Sequence, residues 1–283
     1  MPHLNAEPRS HYVAVAGHEI HVTQWGNPAA PPVIMWHGLA RHGRDFDTLA
    51  RALSPLFHIL CPDTVGRGLS SWSSNPTEDY MIPTYCGHAL SLMEYFGLER
   101  VRWVGTSMGG LVGMALAGNP ATAGRIERLV INDVGPQPNV AAIDRIKAYV
   151  GPVPEFPSVA RYEAFLRLAY APFGKLTDAE WRHMAEHSVR RRENGSFSAH
   201  YDPQAMQVFA AAPSDFDLWP FYDAITCQTL LVRGAESDLL PSDIARQMTQ
   251  RGPKAHMVEV DGCGHAPMLN TADQIAVVKG FLA

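Results

Sequence analysis

The chain has 283 residues, is 46% apolar and carries a formal charge of −5. That length can bury one large core with an insertion, and the acidic balance without a long basic run excludes the electrostatic footprint of a nucleic-acid binder. No stretch approaches the roughly 18 apolar residues of a membrane span, and Met1 to Gly17 has no charged-then-apolar signal pattern, so a soluble cytoplasmic protein without a membrane partner is expected.

In chain order, Tyr12–Val15 and Glu19–Val22 alternate about Gly17-His18 and predict an antiparallel hairpin at a sheet edge. Then the texture changes to short, nearly continuous apolar runs at Val33–Trp36, Ile59–Cys61, Val101–Val104, Leu129–Ile131, Leu230–Val232 and Met257–Val260. Such runs suit parallel strands covered on both faces. Between them lie amphipathic helical patterns at Asp45–Leu53 and Pro83–Phe96, a helix opened by Ser242 and closed by Gly252, and a last one that Thr271 caps. The alternation predicts an α/β fold built on a doubly wound, mostly parallel sheet. From Pro136 to Pro220 the alternation stops, and helical patterns with several prolines predict an inserted helical cap without strands. The expected division is therefore a core from 1–135 and 221–283 and a cap from 136–220.

Gly105-Thr106-Ser107-Met108-Gly109 lies between an apolar strand and the helix-prone Leu111–Ala117, the setting in which a G-x-S-x-G pattern presents a nucleophilic serine on a tight turn. Glycines at 105 and 109 let strand and helix approach without a Cβ clash. The four cysteines, Cys61, Cys86, Cys227 and Cys263, have neither C-x-x-C nor metal-ligand spacing and are expected to be reduced packing residues.

The order of these signals resembles that of the α/β-hydrolase fold superfamily, in its capped, serine esterase or lactonase-like form. The resemblance rests on His37-Gly38-Leu39, on Asp63 through Ser70 with Gly66 and Gly68, on the Ser107 elbow, on Arg233 through Asp238, and on Gly264-His265, and it covers nearly the whole chain. It implies a triad of Ser107, Asp238 and His265, with the backbone N–H groups of Leu39 and Met108 as the oxyanion hole. Ser107 would attack, His265 would take and return its proton, and Asp238 would fix the imidazole. Asp133, at the end of the strand after the nucleophile helix, is the rival for the acid position, since some members of this fold carry their acid there. His37 is read as a loop organiser and Asp63 as turn architecture.

His183-Met184-Ala185-Glu186-His187 also fits the H-x-x-E-H pattern of an inverted zinc peptidase. A third protein ligand is not singled out, and the charged surroundings of Arg182, Arg190, Arg191 and Arg192 read as a solvated helix face, so neither metal nor cofactor is expected. A serine at the elbow, where dehalogenases and epoxide hydrolases need a carboxylate, leaves acyl chemistry. Small to medium carboxylic esters or lactones are the leading substrates. Carbon–carbon hydrolysis of dienoic diketones is the alternative, weakened because His37-Gly38-Leu39 lacks the Gly-Pro-Gly usual in those enzymes, and a non-catalytic ligand receptor of the same fold is a third reading. A homo-oligomer is compatible with the sequence.

Overall fold

A computed structural model describes residues 7–150 and 154–283. Residues 1–6 of the expected core and 151–153 of the expected cap lie outside the described residues. Strands β1 (Arg9–Val15) and β2 (His18–Trp25) form the expected hairpin, closed by Ala16 and Gly17 at φ 48° and 86°. Two consecutive positive φ values give a two-residue turn the twist that paired strands need. Next come β3 (Pro32–Trp36), α1 (Asp47–Leu53), β4 (His58–Pro62), α2 (Pro76–Asp79), α3 (Ile82–Tyr95), β5 (Val101–Thr106), α4 (Met108–Gly118) and β6 (Ile126–Asn132).

Between β6 and the next sheet strand lie α5 (Val140–Val150), α6 (Val159–Ala169), α7 (Asp178–Ser188), the short ribbon of β7 (Val189–Arg191) and β8 (Phe197–Ala199), α8 (Pro203–Ala211) and α9 (Trp219–Asp223). The ribbon departs from the all-helical reading of this insertion. Its strands have three residues each and carry Val-Arg-Arg and Phe-Ser-Ala, too short to establish a period. Helix α9 straddles the 220/221 boundary drawn from sequence. The chain then completes the sheet with β9 (Gln228–Gly234), α10 (Ser242–Met248), β10 (His256–Val260) and α11 (Ala272–Leu282).

The eight-stranded sheet has the order β1-β2-β4-β3-β5-β6-β9-β10, antiparallel from β1 to β4 and parallel from β4 to β10. Successive residues of β3 enter opposite cores. Val33 and Met35 pack with Leu49, Leu53, Val278 and Leu282, whereas Ile34 and Trp36 pack with Trp103, Val112 and Met114. From β3 the chain winds first to β4 on one side and then to β5 on the other. Strand order therefore reverses between β3 and β5, which opens a crevice beyond their carboxyl ends. Among the described residues no helix is long and apolar enough to cross a membrane.

Helix α3 buries His88 at 2% exposure, and neither ring nitrogen has a hydrogen-bond partner among the described residues. Burial, reinforced by His18, pushes the imidazole down to about 4. Such a group binds a proton more readily in the unfolded chain than in the fold. The stability linked to it is intact above its ordinary value of 6.5 and is lost as pH falls from there toward about 4. His88→Leu is expected to remove part of that acid sensitivity. Urea unfolding at pH 7.5 and 5 should give a smaller loss for the variant, by on the order of 1 kcal/mol.

Candidate active site

Ser107 stands between β5 and α4 at φ 52° and ψ −115°. For a residue with a Cβ this left-handed backbone costs on the order of 1–3 kcal/mol and persists only where its surroundings enforce it. The enforcement is contact. A Cβ on Gly105 would lie 2.1 Å from the Gly109 carbonyl oxygen, and one on Gly109 would lie 2.0 Å from that of Trp36. Strand and helix are thus pressed together on both sides of the serine, and its side chain is directed into the crevice, where it meets His265.

His265, in the loop after β10, links two groups. Its Nε2 lies 3.0 Å from Ser107 Oγ, and its Nδ1 lies 2.8 Å from Oδ2 of Asp133. A carboxylate only accepts, so Nδ1 carries the proton and Nε2 offers its lone pair to the serine hydroxyl. Asp133 is fully buried, and its two oxygens are otherwise filled by Gly234 N–H at 2.8 Å and Ser237 O–H at 2.6 Å.

The carboxylate that meets His265 Nδ1 is therefore Asp133, the rival, and not Asp238. Asp238 is 47% exposed and pairs with Arg145 at 2.6 Å, while its backbone carbonyl accepts from Asn139 Nδ2 at 2.8 Å. The turn after β9 decides the matter. Ala235 N–H bonds to Val260 O and Ser237 N–H bonds to Gly234 O, and in this turn Ser237 faces inward to Asp133 while the next residue faces the rim. Asp133 has φ 57°, a left-handed conformation that Asp tolerates better than most residues, and its N–H bonds to Val232 O at 2.8 Å. The sequence carried one signal for this placement, the polar Asn132-Asp133 pair ending an otherwise apolar strand; nothing marked Ser237 as its partner.

Leu39 and Met108 both line the cavity beside Ser107. Met108 opens α4, so its N–H has no acceptor within the helix and sits at the positive end of the helix dipole. The Leu39 loop is held from beneath. Arg67 Nε donates to Leu39 O at 3.0 Å, and a Cβ built on Gly38 would stand 3.6 Å from Ser107 Cβ, so the loop runs along the nucleophile. His37 is buried, donates from Nδ1 to Gly38 O at 2.7 Å and accepts at Nε2 from Thr64 N–H at 2.9 Å. Burial pushes its imidazole down to about 4. A neutral ring with both nitrogens engaged organises the loop. Asp63 likewise spends its oxygens on Gly43 N–H, Leu69 N–H and His21. Burial opposes its charge, but the His21 hydrogen bond and the nearby histidines hold its carboxyl well below the ordinary range.

The cavity over these groups measures about 410 Å³ and lies between core and insertion. Its wall from the insertion includes Ile143, Ile146, Tyr170, Phe173, Val208 and Phe209. Three guanidinium groups reach it. Arg41 is held by Asp45 and Arg145 by Asp238, whereas no carboxylate among the described residues pairs with Arg67, which is 1% exposed and donates to the carbonyls of Leu39 and Val65 and to the Tyr85 hydroxyl. The three consecutive arginines after α7 do not line it. Arg190 stacks on Trp72 and Arg191 on Phe197, and Arg192 pairs with Glu155. His183 and His187 lie away from the cavity lining, beside Asp47. All four cysteines are free, and burial raises the Cys86 thiol to about 12.

This arrangement of elbow, histidine, acid and insertion is accompanied by similarity along the whole chain. Residues 33–278 match the alpha/beta hydrolase family, to which this chain belongs. It is 38% identical to the 3-hydroxybutyrate-oligomer hydrolase of Cupriavidus necator, over 98% of this chain and 99% of that protein. It is 28% identical to the 2-hydroxymuconate semialdehyde hydrolase of Pseudomonas putida, over 80% of this chain and 76% of that protein. The solved structure of an alpha/beta hydrolase from Novosphingobium aromaticivorans superposes with a TM-score of 0.88 at 31% identity, over 98% of each chain.

The close approach at the elbow predicts an asymmetric response to adding one methyl group. Gly109→Ala should cost about 3 kcal/mol or more, because the new Cβ meets backbone that cannot rotate away. Gly87→Ala, in open space on α3, should stabilise by about 0.5–1 kcal/mol. Denaturant midpoints of the two variants against wild type check both signs.

Proposed function

We propose that the chain is a serine ester hydrolase in which Ser107, His265 and Asp133 form the triad. The observation that carries this reading is the unbroken chain from Ser107 Oγ through His265 to the buried Asp133 carboxylate. His265 Nε2 would take the hydroxyl proton as Ser107 attacks the ester carbonyl carbon, and Asp133 would stabilise the imidazolium so formed. The developing oxyanion would be met by the N–H groups of Met108 and Leu39. Collapse would expel the alcohol with the proton returned by His265, and water activated by the same ring would release the acid and free Ser107.

The insertion, residues 136–220, would act as a cap on the core of 1–135 and 221–283. It supplies much of the apolar wall, so the acyl and alcohol groups that fit are those a cavity of about 410 Å³ admits. Within the ester class, short oligoesters of a hydroxy acid are the best-supported substrates. The 38% identical relative is a 3-hydroxybutyrate-oligomer hydrolase, and Arg67 supplies a cavity guanidinium that no carboxylate among the described residues pairs with, suited to a substrate that keeps a free acid end. Carbon–carbon hydrolysis is the second reading. It draws on the 28% identical semialdehyde hydrolase, and a serine triad serves that chemistry as well.

Purified Ser107→Ala is expected to remain folded and to lose ester turnover by on the order of 10⁶-fold. Near-wild-type turnover in that variant would remove the nucleophile from this account. Asp133→Asn should lower turnover by about 10⁴-fold, whereas Asp238→Asn should retain most of it; the opposite ranking in folded proteins would return the acid to the loop after β9. For substrate class, the decisive comparison is kcat/KM for 3-hydroxybutyrate dimer and trimer, their methyl-capped forms, simple acyl esters and a dienoic diketone. The free-acid oligomers should be preferred to the capped ones. Efficient cleavage of the diketone with negligible ester turnover would select the second reading, and tight binding with no turnover would select a receptor.

A further inference from the structure

We propose that Asp47, His183 and His187 form a binding site for a divalent transition metal, with zinc the best match, that fastens the insertion to the core. Asp47 opens α1 on the core, and the two histidines stand four residues apart on α7 of the insertion. That spacing puts both imidazoles on one helix face. One ligand atom from each of the three residues lies within 4.8 Å of the other two.

The geometry is close to what tetrahedral zinc needs. With metal–ligand bonds of about 2.0–2.1 Å, neighbouring donors stand about 3.3 Å apart. His183 Nε2 and Asp47 Oδ2 are already 3.2 Å apart, and the two imidazole centroids lie 4.1 Å apart at 36°. His187 donates from Nδ1 to His183 O at 2.8 Å. The proton is therefore on Nδ1, and Nε2 keeps the lone pair a metal accepts, the outer-shell arrangement common for histidine ligands. Two imidazoles and a carboxylate form a donor set suited to zinc rather than to magnesium or calcium.

Two contacts compete with the cation. Arg44 bonds Asp47 through Nε at 2.9 and 2.8 Å and lies 2.6 Å from Oδ2 through a terminal nitrogen, and His183 Nε2 also faces Arg44 O at 3.4 Å. Metal entry would replace the proton shared between His183 and Asp47, and Arg44 would remain on Oδ1. Because none of the three residues lines the cavity over Ser107, the metal would take no part in ester cleavage. Glu186, the carboxylate of the H-x-x-E-H pattern, is exposed and outside the cluster. The third ligand instead comes from the core, so the bound ion would bridge two elements that otherwise meet through the His183–Asp47 and His183–Arg44 contacts.

The test uses tag-free, chelator-treated, full-length protein titrated with Zn²⁺ by calorimetry and with Co²⁺ by visible absorption. One site per chain is expected, with a Kd of about 10 μM or tighter, cobalt bands of a low-coordinate site, and a melting temperature raised by several degrees in excess zinc. His187→Ala and Asp47→Asn should each weaken zinc binding by about 10-fold or more. His187→Ala should leave metal-free ester turnover unchanged, and it keeps the test open should Asp47→Asn disturb the Arg44 contact. Millimolar binding, or micromolar binding that both variants preserve, would overturn the proposal whatever the Ser107 chemistry proves to be.

Discussion

A carboxylate with no exposed surface organises the catalytic end of this molecule. Asp133 sits at the tip of β6, and its oxygens collect a backbone N–H from the end of β9, a hydroxyl from the turn beyond it and an imidazole N–H from the loop after β10. An ionised group removed from water is tolerable only with such a complete set of donors, and removing one leaves buried charge uncompensated. The same bonds fix three neighbouring loops at once. The position of His265, and through it the orientation offered to Ser107, follows from satisfying one buried charge.

The second constraint is steric and lies on the other side of the serine. Gly105 brings β5 against α4 and Gly109 brings α4 against β3, each at a separation that no side chain would permit, and the indole of Trp103 closes the joint by donating to Gly109 O at 2.9 Å. Trp36 stacks on Trp103 at 5.5 Å, joining β3 to the same packing. The loop that follows β3, with Leu39 and Gly38, is thereby carried to the nucleophile by the strand that packs beneath it. Electrostatics sets the His265 side of the site, and close packing sets the side of Leu39 and Met108.

Much of this was legible in the sequence because buried parallel strands leave a strong mark. Val33–Trp36, Trp103–Val104 and Leu230–Val232 are apolar on successive residues since each face of the sheet meets its own core. The elbow was legible for a different reason, as its glycines are demanded by contact and not by composition. The carboxylate facing His265 was legible only as one of two candidates, Asp238 and Asp133. Ser237 and Asp238 are adjacent in a turn, and a turn has no period that says which of them faces inward. The β7–β8 ribbon escaped because three-residue strands with two arginines carry no pattern, and Asp47 escaped because its association with His183 exists only once α7 lies against α1.

The place of Asp133 just beyond β6 also has a mechanical consequence. The insertion leaves the sheet directly beyond it, through Val134, Gly135 and Pro136, and Val134 is buried. The stem is thus moored at a residue whose carboxylate accepts three hydrogen bonds. At the far rim, Asp238 holds the first insertion helix by an ion pair that is half exposed to solvent. One of these contacts lies in the protein interior and the other is open to ions in solution, so rising ionic strength would screen the rim pair while leaving the Asp133 bonds intact.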